Sequence, residues 1–188
     1  MYTSSMRGIT IIEFITTVAI IAILASFASL GVDFVRKERV ASVTRKLLAD
    51  LQRQRVNAMT REGGGFGIRF ASASSYTLFT FHDCNGDYTY DVDTCEGGRE
   101  ETAIDLKILP ATVVIKDSLA GNAFNGDILI FDQFGTPRSA GWALGWRTII
   151  IKDITKKWSR CIVVSTNRIR EGMGQWNAAD GKYTCAKY

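Results

Sequence analysis

The chain has 188 residues, 22% of them charged and 46% apolar, with a net charge of +4 at pH 7. That length accommodates one membrane helix plus one modest globular domain. The charge excess is too mild to argue for a nucleic-acid partner by itself, and neither a low-complexity tract nor an internal repeat is present.

The first eight residues, Met-Tyr-Thr-Ser-Ser-Met-Arg-Gly, carry one charged side chain, Arg7. From Phe14 to Val32 no residue is charged. A helix over such a run, at about 1.5 Å rise per residue, matches a hydrocarbon core of roughly 30 Å. Arg7 before the run places the N-terminus on the cytoplasmic side and exports the C-terminus. One carboxylate, Glu13, stands at the start of the run. An ionisable residue at the edge of a membrane span is costly, which marks it as a functional candidate. It also favours the positive end of a helix dipole. An ordinary secretory signal is the competing reading, with Ser26-Phe27-Ala28 as a cleavage site. A Glu inside the apolar region argues against it.

Beyond Asp33 the helix is predicted to continue as an amphipathic segment, residues 33–62. Val40, Val43, Leu47, Leu51 and Ala58 recur at helical spacing and define one face. Arg36, Lys37, Arg39, Arg45, Lys46 and Arg53 lie largely off it. Gly63-Gly64-Gly65 ends the helix. The period then changes to two. Strands are predicted at 66–70, 76–81, 103–109, 112–116, 127–131, 147–152 and 160–165. A helix followed by antiparallel strands is an α+β pattern.

The leader ending in Arg7-Gly8, the apolar residue after it, Glu13 five places on and the apolar run together resemble the class III signal of type IV pilins and type II secretion pseudopilins. The usual first mature residue of that family is Phe; here it is Ile9. The helix end Leu48–Ala58 is similar to that of the GspH/FimT-like branch. Ile130-Phe131-Asp132-Gln133-Phe134-Gly135 resembles the branch's Phe-x-x-x-Gly strand and turn. Cys161 to Arg170 resembles its last strand, which usually ends Gly-Arg-x-Arg; here Asn167 replaces the Gly, and either residue tolerates a left-handed turn.

The resemblance implies a type IV pilin fold, with a long N-terminal helix packed on an antiparallel β domain. It divides the chain into a leader (1–8), a membrane and filament-core helix (9–32), an amphipathic helix (33–62) and an exported β-rich domain (63–188). A prepilin peptidase would cut between Gly8 and Ile9 and methylate Ile9. In a filament Glu13 would need a cation, and the new amine of Ile9 is the natural one. The expected product is a minor pilin that primes or caps a type IV pilus near its tip. It would be held in the inner membrane until assembly with other pilin subunits and, in some systems, a tip adhesin. An H-type pseudopilin of type II secretion and a DNA-binding pilin for uptake are the alternatives.

Three further sets of residues carry chemistry of their own. Asp83, Asn85, Asp87, Asp91 and Asp93 offer oxygen ligands suited to Ca2+. The EF-hand template fails, because Gly86 falls at loop position four and Thr94 stands where the bidentate Glu belongs; an acidic hairpin built on Asx turns is preferred. Four cysteines in an exported chain suggest disulfides. Three connectivities exist, and Cys84–Cys95 with Cys161–Cys185 is preferred because each closes a short local loop. Arg168 and Arg170, two apart, would share a face if extended, and with Lys182 and Lys187 would form a DNA surface. Scaffolding contacts to a neighbouring subunit are preferred. No enzyme is expected: His82 is the only histidine, and no nucleophile–base pair or phosphate loop is evident.

Overall fold

The structure, a computed structural model, describes residues 10–60, 65–81, 94–95, 98–99, 101–117, 127–139, 144–155, 158–177 and 182–186. The chain divides into two compact units, Met1–Arg36 and Lys37–Tyr188. One helix, α1 (Ile11–Thr60), contributes to both. The strands follow in order: β1 (Gly65–Ser72), β2 (Ser75–Phe81), β3 (Thr94–Cys95), β4 (Gly98–Arg99), β5 (Glu101–Ile108), β6 (Val113–Asp117), β7 (Asp127–Phe131), β8 (Pro137–Arg138), β9 (Arg147–Asp153), β10 (Ser159–Val164), β11 (Ile169–Asn177) and β12 (Lys182–Ala186). The class is therefore α+β, a long N-terminal helix followed by antiparallel sheets.

In the first unit, Ile11, Ile12, Phe14, Ile15, Val18, Ile20, Ile21, Ile23 and Leu24 are all exposed. Their numbers run around the whole circumference of the helix. This stretch is long and apolar enough to cross a membrane, with a mean hydropathy of 2.3 over its most apolar window.

In the second unit, α1 buries a single stripe. Val40, Val43, Leu47, Leu51 and Ala58 are buried, as the spacing predicts. Two polar residues complete the stripe. Thr44 donates its hydroxyl to the Val40 carbonyl at 2.7 Å. Gln54 donates its amide to the carbonyl of Gly67 at 3.0 Å and lies 3.4 Å from that of Phe79. Each satisfied polar group avoids the penalty of an unpaired one.

Two five-stranded sheets meet this stripe. One has the order β5-β2-β1-β7-β8, the other β12-β11-β10-β9-β6. Phe66, Ile68 and Phe70 of β1, Tyr76 and Leu78 of β2, Leu129 and Phe131 of β7, Ile149 and Ile151 of β9, and Ile162 and Val164 of β10 join the helix in one core. Alternation with period two makes each strand contribute every second residue. The Ile115 N–H donates to the Ala73 carbonyl at 2.7 Å, and Arg147 of β9 pairs with Asp127 of β7 through Nη2 and Oδ1 at 2.9 Å, so the two sheets are tied together. On the reverse side of β1, Gly67 faces Phe79 across the strands. A Cβ at Gly67 would come within 2.6 Å of that ring, which is why the position has no side chain.

The seven strands predicted from the sequence are present, each end within two residues of its expected place. β11 and β12 were not predicted. β11 reads Ile-Arg-Glu-Gly-Met-Gly-Gln-Trp-Asn, with no alternation and two glycines. The reason is in the tertiary structure. Cys161 on β10 and Cys185 on β12 are joined by a disulfide that passes over the strand between them. Their Cα atoms are 5.8 Å apart, whereas two strand spacings in a flat sheet amount to about 9.5 Å. The sheet therefore curls at β11. A Cβ at Gly172 would stand 2.9 Å from Cys185 Sγ and 3.1 Å from Cys161 Sγ. Glycine makes room for the bridge, and the bridge spans a strand instead of closing a simple loop. Cys84 and the side chain of Cys95 lie outside the described residues.

Candidate functional site

At the start of α1, Thr10 and Glu13 bond reciprocally. Glu13 N–H approaches Thr10 Oγ1 at 3.4 Å, and Glu13 Oε2 accepts from the Thr10 N–H at 3.2 Å and from its hydroxyl at 3.3 Å. This is a capping box, written in the sequence as Thr-x-x-Glu. The sequence reading gave Glu13 a dipole role and missed the cap, although the spacing was there to find. Gly8 and Ile9 lie outside the described residues, so the structure supplies the geometry around Glu13 and not that of the cleavage site.

The second site gathers where α1 stops. Arg55, on the last full turns of the helix, reaches the turn between β10 and β11. Its Nη2 donates to the Thr166 carbonyl at 3.0 Å and its Nη1 to the Asn167 carbonyl at 3.3 Å. The turn is closed on itself by the Ser165 N–H and hydroxyl, which both donate to the Arg168 carbonyl, at 3.0 and 2.9 Å. Trp146 donates its indole N–H to Thr166 Oγ1 at 2.8 Å. Its ring is 64% exposed yet held in place.

The turn between β7 and β8 closes the other side. Asp132 accepts from the N–H groups of Phe134 and Thr136 at 3.0 and 2.9 Å and from Arg138 Nε at 2.9 Å. Gly135 sits at φ 70°, where a Cβ would also stand 2.9 Å from Met59 Sδ and 3.1 Å from Arg55 Nε. The glycine of the Phe-x-x-x-Gly pattern is thus required twice, for its backbone and for the approach of α1. Phe134 beside it is 75% exposed.

Arg168 lies in the turn and is exposed; together with Trp146 and residues 165–167 it lines an open depression of about 700 Å³. Arg170 is half-buried on β11, paired in register with Val163. Arg168 immediately precedes β11, and its carbonyl accepts from Ser165 next to the Val164–Ile169 pair of the ladder. The side chain of Lys182, together with Lys187 and the acidic set Asp83, Asn85, Asp87, Asp91 and Asp93, lies outside the described residues. The sequence reading did not bring Arg55, Met59, Phe134 and Trp146 together. They come from three separate segments, and only folding joins them. An immobilised indole, an exposed Phe and a cation around one point is the composition of a protein-contact surface.

No protein-family model, no curated protein and no solved structure matches this chain.

Proposed function

We propose that the chain is a minor pilin of a type IV pilus, anchored by residues 9–32 and contributing its β domain to the filament near the tip. The observation that carries this reading is Glu13. It is the only ionisable side chain between Thr10 and Val32, on a helix whose apolar residues are exposed on every side. A helix of that kind finds partners in lipid or in copies of similar helices. A carboxylate in such a bundle needs a cation, and the amine left by a cut before Ile9 supplies one. The surface around Arg55, Phe134 and Trp146 then serves as a contact for the next subunit, as its aromatic and cationic composition suits.

The capping box makes the test specific. Glu13→Gln keeps the cap, because Gln serves at that position as Glu does, and removes the charge. Under this proposal Glu13→Gln and Glu13→Ala both leave the protein in the membrane and both lower its amount in sheared filaments at least ten-fold. Normal incorporation of Glu13→Gln refutes the ion-pair role. Intact mass of the filament-derived protein should correspond to a chain starting at a methylated Ile9.

DNA uptake remains a second reading because Arg168 is exposed beside the Trp146 ring. Mobility shift with duplex DNA at two salt concentrations decides it. Phosphate contacts weaken steeply with salt, and binding that disappears in Arg168→Ala/Arg170→Ala would make this a DNA-binding pilin.

A further inference from the structure

The two five-stranded sheets of the Lys37–Tyr188 unit end in four edges, β5, β8, β6 and β12. β5 is the longest, with eight residues against two, five and five. One side of β5 pairs with β2; among the described residues no strand pairs with the other. An open edge presents a row of unpaired N–H and C=O groups, a template for another strand.

The side chains of β5 sort by face. Asp105 stands opposite Leu78 and Lys107 opposite Tyr76, both residues of the core on the α1 side. Leu106 stands opposite Thr77 and Ile108 opposite Ser75, on the face turned away from α1. Ile104, at the bulge before Asp105, takes that outer face too. Ile104, Leu106 and Ile108 are 53%, 57% and 78% exposed. Charges on an edge normally repel a second strand. Here the two charges are of opposite sign and pair with each other within the chain.

The order Ile104-Asp105-Leu106-Lys107-Ile108 is symmetric about Leu106 in its apolar residues and antisymmetric in its charges. Laid antiparallel on a copy of itself with Leu106 opposite Leu106, the strand puts each Asp105 opposite a Lys107 and each Ile104 opposite an Ile108. A slip of one residue would set apolar side chains against charged ones. A shift centred on Asp105 or on Lys107 would oppose like charges, which is destabilising. We propose that two copies of this chain associate through β5, antiparallel about Leu106, joining their outer-face apolar rows and their sheets edge to edge. The contact is isologous, as a two-fold dimer requires. A foreign strand of one charge sign would satisfy Asp105 or Lys107 and oppose the other, whereas a second copy satisfies both. The inference goes beyond the pilin reading and does not rest on it.

Cysteine cross-linking of the full chain in micelles tests it. In this register the two Leu106 Cα atoms lie about 4.5 or 5.5 Å apart, according to the hydrogen-bonding phase of the pair, within reach of a disulfide. Leu106→Cys should therefore give a covalent dimer under mild oxidation. Ile104→Cys should not cross-link to itself, because its two copies lie four residues apart, roughly 13 Å along the strand. Mixed with Ile108→Cys, it should. Copies that met only through their apolar helices would treat Leu106→Cys and Ile104→Cys alike. In the Leu106→Cys background, Asp105→Lys and Lys107→Asp each turn two opposite-charge pairs into two like-charge pairs, and each should slow cross-linking about ten-fold. The two variants mixed in equal amounts regain both opposite-charge pairs and should cross-link at the starting rate. So should Asp105→Lys/Lys107→Asp in one chain, which also shows that the substitutions leave the domain folded. The absence of a Leu106→Cys dimer, as much dimer from Ile104→Cys alone, or a mixture as slow as its components overturns the proposal.

Discussion

The two lengths of α1 use apolar residues in opposite ways. Between Ile11 and Leu24 they occupy every side of the helix and are exposed. Between Val40 and Ala58 they occupy one stripe and are buried. The first pattern meets no covering side chains among the described residues, and its length and composition suffice to cross a membrane. The second is matched residue by residue to β1, β2, β7, β9 and β10. Amount of apolar surface does not separate the two; its angular distribution does.

The sharpest way to break this contrast is to truncate one residue of each kind. Leu51→Ala empties a fully buried position and should cost about 2–5 kcal/mol of domain stability, read by denaturant unfolding. Ile21→Ala, exposed in the first length, should leave that unfolding midpoint within about 0.5 kcal/mol. Comparable losses would mean that the first length packs on the domain after all.

The disulfide gives the next largest effect. Cys161 and Cys185 are 24 residues apart, and a loop of that length corresponds to about 3.5 kcal/mol of chain entropy. Cys161→Ala/Cys185→Ala should lower domain stability by about that amount and leave the extraction of the protein from membranes unchanged. Gly172→Ala should mimic part of this loss with both cysteines intact, because the new methyl group meets both sulfur atoms.

Arg55→Met is expected to cost about 1–2 kcal/mol, the value of charge-assisted bonds to two carbonyls that are partly open to water. Hydrogen exchange should speed up at the Ser165 amide, whose bond to Arg168 closes the turn. Unchanged protection there would show that the turn holds itself without the helix.

How much of this was legible beforehand follows from the same contrast. Local period was enough for the buried stripe, and runs of β-branched and aromatic residues bounded by turn residues were enough for seven strands, some of which, like β9 from Ile149 to Asp153, are buried on both faces. Thr44 and Gln54 were missed in the stripe because their letters are polar; they are buried with their bonds made inside the fold. β11 was missed because its glycines answer to tertiary neighbours, Gly172 to the disulfide and Gly174 to Ser159, and not to a strand pattern. The surface around Arg55 was missed for a third reason. Its members lie more than a hundred residues apart, from Arg55 to Asn167, and no spacing rule connects them. The Thr10–Glu13 cap, in contrast, was local and readable.

The smallest effect tests the polar margin of the buried stripe. Tyr76 is buried in the core by its ring, while its hydroxyl reaches Asp50 on α1 at 2.8 Å. Burial first, then the hydrogen bond to Asp50 and the nearby charges of Asp50 and Asp105, push the phenol well above its ordinary value of 10.0. The neutral phenol is therefore the form that the fold stabilises. In the unfolded chain Tyr76 ionises near pH 10. Its contribution is fully present below that pH and is lost as pH rises from there toward the folded-state value. Tyr76→Phe keeps the ring and removes the hydroxyl, so near neutrality it should cost only about 1 kcal/mol. Above pH 10 the gap should shrink, because only the wild-type chain has this phenol to deprotonate on unfolding. Unfolding midpoints of the two proteins at pH 7, 10 and 11 measure the effect. A gap that stays constant or widens with pH would mean that the Asp50 contact does not hold the phenol in its neutral form.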